Sequence, residues 1–262
     1  MNALNRSGRW IFSFAIVALG AENILCAHHA DSIPALPFLP PIPWLAILFG
    51  ILWITCGIGL LIDRWLRASA YMLGATYIFW TLVHVVPQYI AKPGDMGLRT
   101  IVFEPLSLAC IALLLPGPAC TPKWLTLACR AVIAIAMIVF GVDHLLGGFL
   151  INMIVFGVVR FPGNVFIASL IPTWIPFHLF WVDFFGVAMI AAAIGIGLGI
   201  LEEWSWAGLG LMFAIWVVTL HIPRTLGFYH IPGAITDPDE WSSLFIAIGL
   251  WGGPWTLVRD RK

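Results

Sequence analysis

What most constrains this chain is a succession of apolar runs, most of them long enough to cross a bilayer, set apart by short polar or proline-rich breaks. A hydrocarbon core takes roughly 20 apolar residues per helix. Backbone N–H and C=O groups within it must be satisfied inside the segment, so such runs fold as helices. Of the 262 residues, 61% are hydrophobic and only 10% charged, whereas an ordinary soluble domain carries about a quarter charged residues. The chain is therefore read as an all-α integral membrane protein. Its formal net charge of zero gives no sign of a nucleic-acid partner, and its 14 Trp suit the two interfacial belts of a membrane protein in contact with lipid.

Eight spans are expected: Trp10 to Ala27, Trp44 to Ile62, Ala68 to Val86, Thr100 to Leu115, Trp124 to Leu146, Pro176 to Ile200, Trp204 to Ile222 and Trp241 to Val258. The first run is long enough to span and lacks an A-x-A site, so no cleavable signal is expected. Pro34, Pro37, Pro40, Pro41 and Pro43 cannot form a continuous helix, because proline removes donors and restricts the residue before it. That linker is read as re-entrant or surface-lying, with Phe38 and Leu39 in the interface. The apolar segment at about 149–159 is too short to span and is read as interfacial or re-entrant. Cys26, Cys56, Cys110, Cys120 and Cys129 contain no C-x-x-C pair, which leaves no dithiol or zinc signature.

Basic residues set the orientation. With a cytoplasmic N-terminus, nine basic residues (Arg6, Arg9, Arg64, Arg67, Lys123, Arg130, Arg259, Arg261, Lys262) fall inside. Four (Lys92, Arg99, Arg160, Arg224) fall in outer loops. Both termini are thus expected in the cytoplasm, with the Glu202-Glu203 turn alone lacking a basic residue.

The run is also duplicated. Gly20-Ala21-Glu22-Asn23 matches Gly141-Val142-Asp143-His144, Pro43-Trp44 matches Pro176-Phe177, His84 matches His221, and Glu104 matches Glu240. The Pro116-Gly117-Pro118 break divides the chain into units at 1–118 and 119–262. Each has four spans, so the repeats share one orientation: two tandem four-helix bundles, parallel about the membrane normal.

A four-span unit with G-x-[ED]-[NH] late in span one, a proline-marked entry to span two, and His and Glu around spans three and four resembles the DoxX/DoxD superfamily. The resemblance covers nearly the whole chain as two copies, from about Arg9 to Val258. Doubling, and Asn23 where the second copy has His144, depart from the single unit. The superfamily includes the membrane subunit of a thiosulfate:quinone oxidoreductase, the methylamine-dehydrogenase maturation protein and a cargo receptor of the surfeit locus, so the resemblance implies the fold and leaves several functions open, a quinone-linked membrane complex among them.

With that topology Glu22, His84, Glu104, Asp143, His144, His178, Asp183, His221 and Glu240 all fall in the outer half of the membrane. His28, His29 and His230 fall in outer loops. Charge in hydrocarbon costs a few kcal/mol or more unless it meets a partner or a polar cavity, so an outward-opening polar site is expected. Glu22, His84, Glu104, Asp143, His221 and Glu240 are the candidate proton-relay sets, since a histidine beside a carboxylate moves protons near neutral pH. His84 and His221 are the candidate quinone contacts. Haem ligation by that pair is a weaker reading, because one histidine per half supplies no second ligand unless the halves converge; so is a metal held by His144, His178 and Asp183, whose spacing matches no ligand motif.

Glu104 and Glu240 also suit helix N-termini, and His84 and His221 suit structural hydrogen bonds. His28-His29-x-Asp31 reads as a solvated loop, and Arg160 and Arg224 as snorkelling cations. The leading expectation is an integral subunit of a quinone-linked oxidoreductase located in the bacterial inner membrane. A non-catalytic structural or assembly subunit is the alternative, and a small-molecule or lipid carrier comes third.

Overall fold

The structure, a computed structural model, describes residues 3–26, 43–92, 94–146, 163–228 and 237–258. The proline-rich linker, the segment at 149–159, and His28, His29, Asp31, Arg160 and His230 lie outside the described residues. Within them the chain is helical, with no strand. The helices are α1 (Ala3–Leu25), α2 (Pro43–Gly59), α3 (Asp63–Trp80), α4 (Val86–Ala91), α5 (Met96–Leu114), α6 (Lys123–Leu146), α7 (Gly163–Leu170), α8 (His178–Leu198), α9 (Glu202–Trp216), α10 (Ile222–Thr225) and α11 (Pro238–Thr256).

Six helices among the described residues are long and apolar enough to cross a membrane. They are α1, α3 continued to Ala91, α5, α6, α8 and α9 continued to Thr225. Helix α2 is apolar but has only 17 residues, and α11, with 19, is not among the six. Large apolar side chains at mid-helix positions face outward, among them Phe14, Ile51, Ile135, Val187 and Leu211. An apolar exterior of this extent is what a lipid solvent requires.

Consecutive long helices pack on one another in chain order, and α11 closes the ring with an extensive contact against α1. The two sequence units therefore meet where α5 packs on α6 and where α11 packs on both α1 and α5.

Several contacts occur twice. Gly20 of α1 crosses Gly50 of α2 so closely that a Cβ on either would sit 2.6 Å from the other's carbonyl oxygen. Gly141 of α6 crosses Gly186 of α8 in the same way, at 2.6 and 3.0 Å. The Arg9 Nε–H donates to the Leu60 carbonyl at 2.5 Å, and the Arg130 Nε–H to the Ile196 carbonyl at 2.9 Å. Each guanidinium then pairs with an acid at the start of the next helix, Asp63 at 2.8 Å and Glu202 at 3.4 Å. The Glu202 turn thus has its basic partner, supplied by another helix. Gly59 abuts Ser69 as Gly195 abuts Ser205.

Helices α3 and α9 each end in a turn of π-helix, Thr81–Val85 and Val217–His221. The Val86 N–H donates back to the Thr81 carbonyl, and the Ile222 N–H to the Val217 carbonyl. A proline follows in both cases, Pro87 and Pro223. Proline cannot donate to the residue four back, and its ring crowds that carbonyl. Widening the turn relieves the clash, and such π turns recur at functional sites.

Several expected boundaries move, the first span starting at Ala3 and the third at Asp63, and two further shifts concern helices that border the site. The expected fourth span begins at Met96 rather than Thr100, because the Asp95 side chain accepts the Leu98 N–H at 3.1 Å and caps the helix there. The sixth begins at His178, since Pro176 lies in the turn before it. The shift at Met96 has functional consequences.

Candidate functional site

Between α5, α6, α8, α9 and α11, under α7 and the turn after it, lies a cavity of about 740 Å³. Its walls are mainly aromatic and aliphatic, including Phe140, Trp181, Phe185, Met189, Phe213 and Trp216. Six ionisable groups interrupt them: Glu104, Asp143, His144, His221, Arg224 and Glu240. An apolar chamber of this size with a few convergent polar groups is the usual form of a small-molecule site.

Three of these groups are committed to one another or to a residue behind the wall. Asp143 on α6 meets Arg99 on α5, through Nη2 to Oδ1 at 2.5 Å and Nε to Oδ2 at 3.1 Å. The side chains are 3% and 5% exposed, so the pair is fully withdrawn into the protein. Glu240 receives a forked pair from Arg224, with Nε at 2.6 Å from Oε2 and Nη2 at 2.6 Å from Oε1. The sequence places both arginines in outer loops. Arg99 instead falls in the first turn of α5 because that helix starts early, and Arg224 in α10 because the helix continues past the proline. Neither snorkels outward. No composition signal marks them, but each sits within reach of an acid on the next helix once helix ends are known.

Glu104 has no hydrogen-bond or ion-pair partner among the described residues, and it contributes to the cavity wall. Contrary to the sequence expectation it does not open its helix: Met96 begins α5, so Glu104 lies two turns in, beside the internal Pro105. Glu240, by contrast, does sit in the first turn of α11. The two glutamates are therefore not equivalent. Their similar distances from the histidines concealed helices that start at different points.

The histidines differ as well. A spacing of 136 relates Gly50 to Gly186, Trp80 to Trp216 and Pro87 to Pro223. In that register His84 matches Leu220, and His221 matches Val85. His84 is the fourth residue of its π turn and His221 the fifth of its own. His84 lies 3.2 Å from the Gln88 amide and packs on Trp80 with centroids 4.6 Å apart. His221 lines the cavity, and His84 does not. A haem clamp or shared quinone contact would need both rings on one space, and the register step turns them apart.

Glu22 is likewise outside the cavity wall and accepts from the Ser242 hydroxyl at 2.5 Å across the α1–α11 seam. The expected metal set is dispersed. His144 is buried on α6, His178 Nε2 sits 3.0 Å from the Pro172 carbonyl, and Asp183 is exposed on α8. No cluster of three or more His, Cys, Asp or Glu side chains among the described residues could hold a metal ion.

His144 is held firmly. Its Nδ1 lies 2.7 Å from the Phe140 carbonyl one turn back, and its ring packs on Trp216 with centroids 5.0 Å apart. Phe185 meets the same indole edge-on at 5.5 Å. Asn23, the matching residue in the first unit, is buried too.

No protein-family profile, curated protein or solved structure matches this chain.

Proposed function

We propose that this chain is the membrane subunit of a quinone-linked oxidoreductase, and that the cavity receives the quinone ring. The observation that carries the reading is the combination in one apolar chamber of Glu104 and His221, which have no ion-pair or hydrogen-bond partner among the described residues, with neutralised carboxylates around them. Aromatic walls suit a planar ring, and the uncommitted groups suit the proton exchange that accompanies quinone reduction.

The proposed frame is eight spans in two parallel DoxX-like units in the bacterial inner membrane, with both termini cytoplasmic. The recurring glycine crossings, arginine–carbonyl bonds and π turns support the duplication. Helix alternation through eight such segments brings the carboxyl ends of α1, α3, α6 and α9 and the amino ends of α5 and α11 to one side, the periplasmic side in this frame. Other subunits would supply or accept the electrons.

Organic extraction of the protein purified with its native partners tests the proposal. Quinone is expected in the extract, and quinone-linked turnover of the complex is expected to fall at least tenfold in Glu104→Gln and His221→Ala while His84→Ala retains it. An extract free of quinone together with unchanged turnover in both cavity variants refutes it.

A further inference from the structure

Resting on the quinone reading, we infer that the cavity selects the reduced, hydroxyl-bearing ring, and that His144 Nε2 is the acceptor that does so. A carbonyl oxygen can only accept, so the 2.7 Å contact with Phe140 requires the proton on Nδ1. In the neutral ring Nε2 is then a bare acceptor. It is buried and has no hydrogen-bond partner among the described residues, in a residue only 6% exposed that forms part of the cavity wall. Nδ1 faces the carbonyl of its own helix, so the Nε2 edge of the imidazole is turned away from α6. Trp216 fixes the ring plane from the side.

A buried acceptor left unmade costs free energy that a ligand donor recovers. A ligand hydroxyl is such a donor, and a quinone carbonyl is not: it would set a second lone pair against the first. The two neighbouring arginines are already engaged, Arg99 by Asp143 and Arg224 by Glu240. Glu104 adds another acceptor to the chamber in its ionised form. The unmade acceptor at His144 Nε2 favours a quinol over the quinone of the same skeleton.

The test titrates the purified full chain in nanodiscs with a short-chain benzoquinone and, anaerobically, with its quinol. Binding is followed by quenching of intrinsic tryptophan fluorescence and corrected for partitioning into empty discs. The two probes differ by two hydrogens, so size and apolar area are matched. The quinol is expected to bind at least tenfold tighter, and His144→Phe, which keeps a ring against Trp216 but removes the acceptor, is expected to abolish the difference.

Equal affinities, or a tighter quinone, overturn the inference and leave the quinone site standing. So does a quinol preference that persists in a folded His144→Phe chain. Saturable binding of neither probe overturns the site itself. Should the variant not fold, the wild-type ratio alone decides.

Discussion

Removing Arg99 alone should cost this fold more than removing Arg99 and Asp143 together. The pair is bidentate at 2.5 and 3.1 Å, with side chains 3% and 5% exposed. Arg99→Met leaves the Asp143 carboxylate buried without its counter-charge, a loss of about 3–5 kcal/mol by the usual cost of breaking a withdrawn pair. Replacing both, as Arg99→Met with Asp143→Leu, removes the orphan and should recover most of that, to within about 1–2 kcal/mol of the parent or better. The coupling between the two positions is then about 2–4 kcal/mol, read from a double-mutant cycle. Reversible unfolding in mixed micelles, followed by tryptophan fluorescence, measures it. Arg224→Met serves as the internal comparison. Its pair is 28% and 11% exposed, so water can solvate the abandoned Glu240 and the loss should be nearer about 1–2 kcal/mol. An Arg99→Met loss below about 1 kcal/mol, or a double variant as weak as the single, refutes the claim that burial sets the cost.

Two further outcomes are expected. Gly20→Ala and Gly141→Ala should each destabilise by about 1–3 kcal/mol, because the added Cβ would lie 2.6 Å from a carbonyl oxygen of the crossing helix. Gly208→Ala, with no atom within 4 Å of its Cβ position, should be neutral or stabilising by up to about 1 kcal/mol; the same unfolding titration separates them. Glu104→Gln should leave stability within about 0.5 kcal/mol of the parent, since no partner is lost, and Glu104→Leu should raise it because a polar group in a membrane helix is costly. Destabilisation of both Glu104 variants would mean that the carboxylate holds the fold together.

Much of the architecture is legible in the residues themselves. Apolar run length gives the helices, and the glycine–acid signatures at Glu22 and Asp143 mark helix ends that do recur at a spacing of 121. What misleads is matching polar residues by similar separation. His84 and His221 share a tryptophan before and a proline after, but stand one residue apart in register, and on a helix one residue turns a side chain by about 100°. Glu104 and Glu240 were paired across helices whose starts depend on caps, Asp95 and Asp237. Counted from those caps, Glu104 corresponds to Ile246 and Glu240 to Leu98. His144 was legible as a polar residue in a span, whereas its bare acceptor emerges only once the Phe140 carbonyl and the cavity are seen. The arginine partners were hidden in a related way: a cap moved the boundary past Arg99, and the helix continues beyond Pro223 to Arg224, so two expected loop residues lie in helices.

The same register explains why the chamber sits among the C-terminal helices. Trp53 of α2 corresponds to Met189 of α8, and Tyr77 of α3 to Phe213 of α9. Trp53 and Tyr77 stack with centroids 4.7 Å apart, and the indole N–H donates to Thr76 Oγ1 at 3.3 Å. Their smaller counterparts Met189 and Phe213 line the cavity instead. Rebuilding the first arrangement in the second should therefore close the site. Met189→Trp supplies the indole, and Met212→Thr, at the position matching Thr76, supplies its acceptor. The double variant is expected within about 1.5 kcal/mol of the parent, as tolerable core exchanges are, with ring-ligand affinity reduced at least tenfold. Met189→Trp alone leaves the indole N–H without its acceptor and should be weaker by about a further 1–3 kcal/mol. A folded double variant that binds the quinol as tightly as the parent would show that this chamber is not where the ring sits.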